Sequence, residues 1–348
     1  MKPKAQTPTD ILRQMAGGFS LTQILFTAVK LGIADQLSTT PKQAQELAKA
    51  VGVAPQPLYR FLRMMVVLEL LVQGDDGGFR LSEVGELLRT DHPESMRNRI
   101  LYIGEVNYPA AQGMLHAVQT GEPAFDHVFG KPLFAFLEQN PRVGGHFNKL
   151  MARENEDRVA GIVAGYDFAR FDSIVDVGGG VGTLMTGILR SHSYLRGIIF
   201  DVPDVVVQAA RYLTDNGVAD RCQVVAGDFF RDAIPAGSKL YLMSNIIHDW
   251  DDDRAKQILL NCRAAMGGDA TLLLIEEIMP KHVTEAPVSV SSDFSMLLLT
   301  GGRERTAMEF EELLAMVGLR LATVIPFEPS RIYSGRKPNF AIIECKPQ

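Results

Sequence analysis

The spacing of hydrophobic residues changes character near Ser173. From Asp10 to about Leu88, apolar residues recur at intervals of three and four, the pattern of short amphipathic helices, with breaks at glycines such as Gly32 and Gly52. After residue 173, short runs of β-branched and aliphatic residues alternate with helical segments. The pattern therefore predicts a helical N-terminal part followed by an alternating α/β part.

The α/β part is predicted to form a doubly wound, Rossmann-like sheet with helices on both faces. The predicted strands lie near 173–177, 197–201, 222–226, 239–246, 270–276, 320–325 and 339–344. The predicted helices lie near 183–191, 204–214, 252–266 and 307–317. Because ligands of such folds lie beyond the carboxyl ends of the strands, the residues after each strand are candidates for a binding site.

The segment from Pro41 to Leu88 reads as helix, turn, helix and hairpin, with the hairpin tip at Gly74–Gly78. This order is typical of a winged helix, which can bind DNA. The candidate recognition helix over 57–70 offers only Arg60 and Arg63 among mostly apolar residues. So much apolar surface favours packing or dimerisation over DNA contact.

Residues 93–170 are predicted to continue as helices, with loops at Gly121–Pro123 and Gly130–Pro132. They are rich in Tyr, Phe, His, Asn and Met. Such a mixture is typical both of a pocket for an aromatic ligand and of an ordinary helical core, and both interpretations stay open at this stage.

Composition narrows the functional classes. The 348 residues carry a net charge of −6, which argues against a dedicated nucleic-acid or acidic-membrane binder. The three cysteines are widely spaced, so neither a disulfide framework nor a thiolate metal site is expected. The N-terminus lacks the apolar core of a signal peptide, and a cytoplasmic location is expected.

Polar residues follow three of the predicted strands in a way that suits a nucleotide-like cofactor. Gly178, Gly180 and Gly182 follow the first strand, and Asp201 ends the second, where its carboxylate could bind ribose hydroxyls or cap the next helix. Asp228 and Phe229 follow the third strand as an adenine-binding pair, with a simple Asp turn as the alternative. The G-x-G-x-G spacing favours S-adenosylmethionine over a nicotinamide dinucleotide.

His248 is predicted to end the fourth strand, where it is a candidate general base. The Asp residues over 249–253 are interpreted as the N-terminal cap of the following helix. Glu276 and Glu304 could each accept a proton from one ring nitrogen of His248 and so fix its tautomer. A structural histidine, a surface ion pair of Glu304 with a neighbouring arginine, and a solvated Glu277 are the plainer alternatives.

The segments DVGGGVG, FDVPDVV, GDFF, HDWDDD, EEIMP and GGRERT occur in that order across the chain. In this it resembles the S-adenosylmethionine-dependent small-molecule O-methyltransferases of plant phenolic and bacterial polyketide or phenazine type. The resemblance implies a homodimer joined through N-terminal helices, with no metal. It also implies a dimerisation domain over 1–100, a helical linker contributing to the substrate pocket over 101–170 and a methyltransferase domain over 171–348.

The resemblance also assigns roles position by position. His248 resembles the catalytic base, and Glu276 and Glu304 the residues that orient it. The donor-binding positions are implied to be Arg153 for the methionyl carboxylate, Gly178 and Gly180 for the methionine side, Asp201 for the ribose, Asp228 and Phe229 for the adenine, and Ser244, where plant enzymes have a lysine. The implied pocket for an aromatic acceptor contains Phe147, Asn148, Met151, Met296 and Leu299, with His116, Tyr102 and Phe134 as further positions.

The sequence therefore predicts methyl transfer to a hydroxyl of an aromatic secondary metabolite, most simply a phenol. The alternatives are an N- or C-methyltransferase on the same scaffold, a nicotinamide-dependent oxidoreductase and a cofactor-sensing DNA regulator. Neither a nucleic acid nor a membrane is expected as a partner.

Overall fold

The computed structural model describes residues 7–37, 40–330 and 339–348. The chain divides into two compact units. One comprises Met1–Pro109 with Gly145–Phe147, and the other comprises Ala110–Gly144 with Asn148–Gln348.

The N-terminal unit is built from short helices and one hairpin. Its helices are α1 Pro8–Ala16, α2 Gly18–Leu31, α3 Ile33–Gln36, α4 Ala44–Val51, α5 Pro55–Val67, α6 Glu83–Glu86 and α7 Arg97–Tyr102. The hairpin pairs β1 Leu71–Gln73 antiparallel with β2 Phe79–Leu81. The predicted helix, turn, helix and hairpin order is therefore confirmed.

The candidate recognition helix packs mainly through its apolar residues. Leu58, Leu62 and Met65 of α5 are buried in the N-terminal core, at the i, i+4, i+7 spacing that defines one helix face. Helix α5 ends at Val67, so it is shorter than the predicted 57–70, and Glu69 follows with a positive φ of 58°.

The middle of the chain is helical, as its composition predicts. It contains α8 Tyr108–Ala110, α9 Met114–Thr120, α10 Ala124–Phe129, α11 Leu133–Gln139 and α12 Pro141–Gly165. Helices α9 and α10 end at Gly121 and Gly130, whose φ angles of 78° and 70° suit glycine. Both glycines lie where loops are predicted.

The second unit contains a seven-stranded sheet of order β5-β4-β3-β6-β7-β9-β8. Its strands are β3 Ser173–Val177, β4 Arg196–Asp201, β5 Cys222–Ala226, β6 Leu240–Ser244, β7 Thr271–Glu277, β8 Leu319–Pro326 and β9 Phe340–Pro347. The first five strands in this order are parallel, whereas β9 pairs antiparallel with both β7 and β8. All seven predicted strands are present.

Five further helices accompany the sheet: α13 Thr183–Ser191, α14 Pro203–Asp215, α15 Asp252–Ala265, α16 Pro287–Leu299 and α17 Ala307–Ala315. The sequence pattern predicts all of these except α16. Two hydrophobic clusters include β3 side chains, Val175 and Val177 in one and Ile174 in the other, because the strand is buried on both faces.

The parallel strands bring distant residues to one edge of the sheet. The glycine loop follows β3, Asp201 ends β4, Ser244 ends β6, and Glu276 lies at the end of β7. The three cysteines are buried and unpaired. Within the described ranges, we find no helix with the length and apolar character needed to cross a membrane.

Candidate active site

The glycine loop between β3 and α13 is shaped by its lack of side chains. Gly178, Gly180 and Gly182 have φ angles of 70°, 59° and 88°, a region that other residues seldom adopt. A Cβ on Gly178 would lie 2.5 Å from Ile246 Cδ1. The loop is therefore packed closely beneath the segment that follows β6.

Asp201 is bound to the glycine loop. Its Oδ2 accepts a hydrogen bond from the amide of Gly180 at 2.8 Å, and its Oδ1 accepts one from Val202 at 2.7 Å. Helix α14 has Val202 as its N-cap and no side-chain cap, so the capping alternative for Asp201 does not describe its contacts. Burial raises the pKa of Asp201 although the two amides oppose that effect.

Asp176 is a buried carboxyl that reasoning from the sequence missed. It lies in β3 with 1% of its surface exposed, and neither carboxyl oxygen has a hydrogen-bond partner among the described residues. Burial, together with the charge of Asp201, raises the pKa of Asp176 to about 7. The signal in the sequence is a charged residue inside the apolar strand IVDV, where an unpaired acid is costly.

Phe229 borders the glycine loop and belongs to a group of packed aromatic residues. The ring of Phe229 lies 3.6 Å from the position a Cβ on Gly178 would take, and it packs edge-on against Phe230 and Trp250. Asp228 accepts a hydrogen bond from the amide of Phe230, as in an Asp turn. Trp250 is a further aromatic residue that reasoning from the sequence did not assign.

His248 does not end a strand, contrary to the prediction. Strand β6 ends at Ser244, and His248 lies in a short 3₁₀ helix over Ile247–Asp249. Asn245 connects the two with a positive φ of 54°, and its side chain accepts a hydrogen bond from Arg158 at 2.7 Å.

Two buried charged residues hold this turn. Glu276 Oε1 accepts hydrogen bonds from the amides of Ile246 and Ile247, at 3.1 and 2.9 Å. The fully buried guanidinium of Arg305 donates to the carbonyls of Ile247 and Trp250. The backbone that carries His248 is therefore fixed by charged groups from β7 and from the loop after α16.

The imidazole of His248 lies between three carboxylates. Its Nδ1 is 2.9 Å from Glu304 Oε1, which also accepts a hydrogen bond from Ser292, and 3.9 Å from Glu276 Oε2. Its Nε2 is 3.8 Å from Asp249 Oδ1. The contact with Glu304 occupies Nδ1, so Nε2 is the ring nitrogen that remains for a further partner.

These carboxylates control the protonation of the imidazole. Burial by itself would lower the pKa of His248, but the charges of Glu304, Glu276 and Asp249 outweigh it and raise the pKa to about 10. Burial raises the pKa of Glu276 to about 7 and that of Asp249 to about 6. In the donor-free protein, the carboxylates therefore favour the imidazolium form of the ring.

The structure corrects several interpretations of the acidic residues. Asp251 caps α15, and Asp252 and Asp253 lie in its first turn, as expected, although Asp252 also binds Arg303 and Arg305. Asp249 instead lies beside His248. Glu277 is buried, with 7% of its surface exposed, and is not solvated.

Glu304 is also buried and forms no surface ion pair with its neighbouring arginines, since both of those bind Asp252.

The remaining predicted donor and acceptor positions are spread over several elements. Arg153 lies on α12 and pairs with Glu156, and Asn148 of the same helix donates to Gln208. Met151 is a half-buried residue of α12. Phe147 belongs to the N-terminal unit, where its ring packs 5.4 Å from that of Tyr102.

Helix α16 joins two of the predicted acceptor positions to the catalytic candidates. It carries half-buried Met296 and buried Leu299, and its Ser292 and Asp293 bind the side chain and amide of Glu304. Two other positions contact neighbours outside this helix: Phe134 stacks with Trp250 and His116 stacks with His127.

A Rossmann-like sheet with this glycine loop and this buried histidine defines a methyltransferase of the Rossmann-like class. A family model for an O-methyltransferase domain matches residues 112–320, and one for an O-methyltransferase dimerisation domain matches residues 13–91. The chain belongs to this O-methyltransferase family.

Relatives span almost the whole chain. It is 40% identical over 339 residues to "Phenazine O-methyltransferase PhzM" of Lysobacter antibioticus, covering 97% of this chain and 96% of the relative. The crystal structure of "LaPhzM" superposes with a TM-score of 0.89 at 38% identity, covering 99% and 100% of the two chains.

Two other relatives show the range of ligands and products. The structure of an O-methyltransferase (NcsB1) "from neocarzinostatin biosynthesis", in complex with S-adenosylmethionine and 2-hydroxy-5-methyl naphthoic acid, gives a TM-score of 0.83 at 32% identity, covering 94% and 96%. A "Phenazine-1-carboxylate N-methyltransferase" of Pseudomonas aeruginosa is 31% identical over 333 residues, covering 93% and 96%.

Proposed function

We propose that this enzyme transfers a methyl group from S-adenosylmethionine to a hydroxyl of an aromatic secondary metabolite, with His248 as the general base. The observation that carries the proposal is the Nδ1 contact of His248 with buried Glu304, which directs Nε2 towards a reacting group. Membership of the O-methyltransferase family supports the reaction class.

The residues around the glycine loop fit the methyl donor. Asp176 offers two unpartnered carboxyl oxygens in a buried place, which suits an ammonium group. The hydroxyls of Thr183 and Ser244 are likewise buried and have no partner among the described residues. Asp201 is proposed to accept hydrogen bonds from ribose hydroxyls, and the proposal is supported by the capacity that each of its oxygens has beyond the single amide that it binds.

The adenine and carboxylate ends of the donor have assigned residues as well. Asp228 is proposed to accept from the exocyclic amine while Phe229 lies against the ring, and Arg153 is proposed to bind the methionyl carboxylate. When bound, the donor supplies an electrophilic methyl group on a positively charged sulfur.

The proton of the acceptor hydroxyl is removed by His248. A phenol has a pKa of about 10, so it is mostly un-ionised at neutral pH and gains about 10²- to 10⁴-fold from a positioned base. The neighbouring carboxylates raise the pKa of His248, which makes its ring a stronger base once it is neutral. Because a neighbouring positive charge lowers the pKa of an imidazole, His248 is expected to reach its neutral form more readily beside the sulfonium.

A metal is not part of this proposal, although His248, Glu276 and Glu304 bring one ligand atom each within 4.8 Å of one another. Nδ1 of His248 carries the proton donated to Glu304, and Glu276 Oε1 accepts two backbone amides. These hydrogen bonds compete with coordination. Methyl transfer is accordingly expected to proceed unchanged in EDTA.

An N-methyltransferase is the second candidate, because the N-methyltransferase of Pseudomonas aeruginosa is 31% identical to this chain. A nitrogen acceptor with a basic lone pair does not need a base, so His248 would matter little for it. Mass spectrometry of the product, which locates the new methyl group on oxygen or nitrogen, separates the two reactions.

The base assignment is tested with His248→Gln in an assay of aromatic hydroxyl compounds and radiolabelled donor. We expect kcat to fall by about 10²- to 10⁴-fold while the affinity for the donor stays within a few-fold. His282→Gln, at an exposed histidine outside the site, is the matched control. Methylation of the acceptor hydroxyl by His248→Gln at the parental rate would show that the assignment is wrong.

A further inference from the structure

Five carboxylates lie on the elements around His248, and three of them are close to its imidazole. They come from separate elements, namely the 3₁₀ helix, β7, α16 and the loop after α16, and they are Asp249, Glu276, Glu277, Asp293 and Glu304. Asp249, Glu276 and Glu304 approach the imidazole directly, within 2.9 to 3.9 Å. Asp293 accepts the amide of Glu304, and Glu277 interacts electrostatically with both Glu304 and His248.

The arginines of this region bind mainly to other groups. Arg305 donates to Asp252 and to backbone carbonyls, and Arg303 binds Asp252 and Glu309. Arg158 binds Glu154 and Asn245. Arg158 and Arg303 attract Glu277 and Asp293 only through space. Among the described residues, His248 is therefore the cation in direct contact with Glu304.

Three of these carboxylates each have one oxygen that accepts no hydrogen bond from the described residues. Oε2 of Glu276, Glu277 and Glu304 is buried and lacks a hydrogen-bond partner among the described residues. Burial raises the pKa of Glu276, Glu277 and Asp293, and the charge of Glu304 raises each of them further. Even with one positive charge on His248 and one on the sulfonium, five carboxylates leave the region negative when they are ionised.

We propose that these five carboxylates select methyl acceptors by charge. The aromatic ring of a good acceptor then carries no anionic group next to the hydroxyl that is methylated. A neutral or hydrogen-bond-donating neighbour, such as a hydroxyl, an amine or an amide, is accepted there. The inference rests on the proposed hydroxyl methylation and names the class of acceptor for that same site.

The expected discrimination is large. At an effective dielectric of about 20, two unit charges about 6 Å apart repel each other enough to cost roughly 100-fold in affinity. Donor binding does not share this penalty, because the donor brings its positively charged sulfonium to the same region. The five carboxylates therefore favour binding of the cationic donor and oppose binding of an acceptor that carries a carboxylate.

The test compares 3-hydroxy-2-naphthoate with its N-methyl amide, which has a similar shape and no charge. We expect kcat/KM for the amide to exceed that for the carboxylate by about 100-fold or more. An adjacent carboxylate also raises the intrinsic pKa of a phenol, which by itself changes the rate of methylation. Binding of both compounds to the enzyme with bound S-adenosylhomocysteine is therefore measured by calorimetry as well, because no proton is removed in that complex. The same preference is expected in binding.

Two variants assign the preference to the protein. Asp293→Asn keeps an oxygen that can accept a hydrogen bond from the amide of Glu304, and it removes one charge. Glu277→Gln keeps an oxygen that can accept a hydrogen bond from Ser289, and it likewise removes one charge. Each variant is expected to reduce the ratio of the two compounds' affinities, and of their kcat/KM values, by several-fold. Glu311→Gln, at an exposed residue of α17, leaves both ratios unchanged.

Equal binding of the two compounds, or a difference that both variants leave intact, overturns the inference. The proposed function fails separately, when the enzyme and its donor give no methylated hydroxyl although the amide binds more tightly than the carboxylate.

Discussion

At the scale of single residues, the two glutamates assigned to His248 act differently. Both are expected from the sequence to accept a proton from the ring. Only Glu304 lies at hydrogen-bond distance from Nδ1, whereas Glu276 binds two backbone amides and acts on the ring through its charge. Spacing along the chain could not separate these roles, because each depends on how two strands and a loop pack together.

Replacing Glu276 tests this division. Glu276→Gln keeps an oxygen for the amides of Ile246 and Ile247 but removes a charge that raises the pKa of His248. A lower pKa gives the neutral imidazole at lower pH, so the acidic limb of the kcat/KM profile should move down by about one pH unit. The profile is measured at saturating donor, with Glu311→Gln as the control. An unmoved or higher limb contradicts this electrostatic role.

Asp176 supplies a second prediction at this scale. Its folded-state pKa of about 7 lies above the usual 3.8, so the wild type loses stability as pH rises between these values. Asp176→Asn does not titrate, and its stability relative to the wild type should therefore increase by about 3 kcal/mol between pH 5 and pH 8.

Chemical denaturation of the donor-free proteins measures this difference, with Asp220→Asn, at an exposed residue, as the control. Any constant cost of burying the amide of asparagine cancels in the comparison between the two pH values. A stability difference that is the same at both pH values would mean that Asp176 is not a strongly perturbed acid.

At the scale of elements, the short 3₁₀ helix over residues 247–249 is the part of the site that depends most on its surroundings. Its conformation includes a positive φ at Asn245, a hydrogen bond from the amide of Ile247 to Glu276, and one from Arg305 to the carbonyl of Ile247. The loop after α16 also packs closely against this 3₁₀ helix, since a Cβ on Gly302 would lie 2.0 Å from the carbonyl oxygen of His248. No flexible side chain can yield there, because the contact is with backbone.

Gly302→Ala is accordingly expected to displace the 3₁₀ helix that carries His248. A shift of about 1 Å in a catalytic group costs roughly 10²-fold in rate, and kcat should fall by at least that factor while the protein stays folded. Gly268→Ala is the matched control, because a Cβ there meets no atom within 4 Å. Kinetics and circular dichroism are measured together. Wild-type kcat in Gly302→Ala would show that the turn adapts without loss.

Helix α16 shows where periodicity failed as a predictor. Ser289, Ser291, Ser292 and Ser295 interrupt its apolar spacing, so no amphipathic face is visible in the sequence. In the fold, Ser292 and Ser289 bind Glu304 and Glu277, which gives those polar residues buried partners. The strands were easier to predict, because a strand covered on both faces must be continuously apolar.

At the scale of the whole molecule, the first helices present apolar surface that the described residues leave exposed. Helix α1 has no buried residue, and Leu12, Met15 and Phe19 are 67%, 71% and 63% exposed. The match of residues 13–91 to a dimerisation domain supports a homodimer as the explanation of this surface.

The variant with Leu12→Glu and Met15→Glu tests this interface. Two charges in each copy should weaken self-association by at least about 10²-fold, because buried unpaired carboxylates are costly. Sedimentation velocity over a range of concentrations measures the effect. Val207→Glu, at a similarly exposed valine of α14, is the control. A variant that stays dimeric, or a wild type that is monomeric, removes these helices from the interface.

The sequence by itself determined the strands, most of the helices, the glycine loop and the family, because local periodicity and short motifs are properties of neighbouring residues. Tertiary structure alone decided the chemical environment of the site. It placed His248 in a turn, buried Asp176 and Glu277, set Asp249 beside the imidazole, and gave Glu276 and Glu304 different contacts. These outcomes depend on desolvation and on charges that residues far apart in the chain exert on one another, and neither can be read from spacing along the chain.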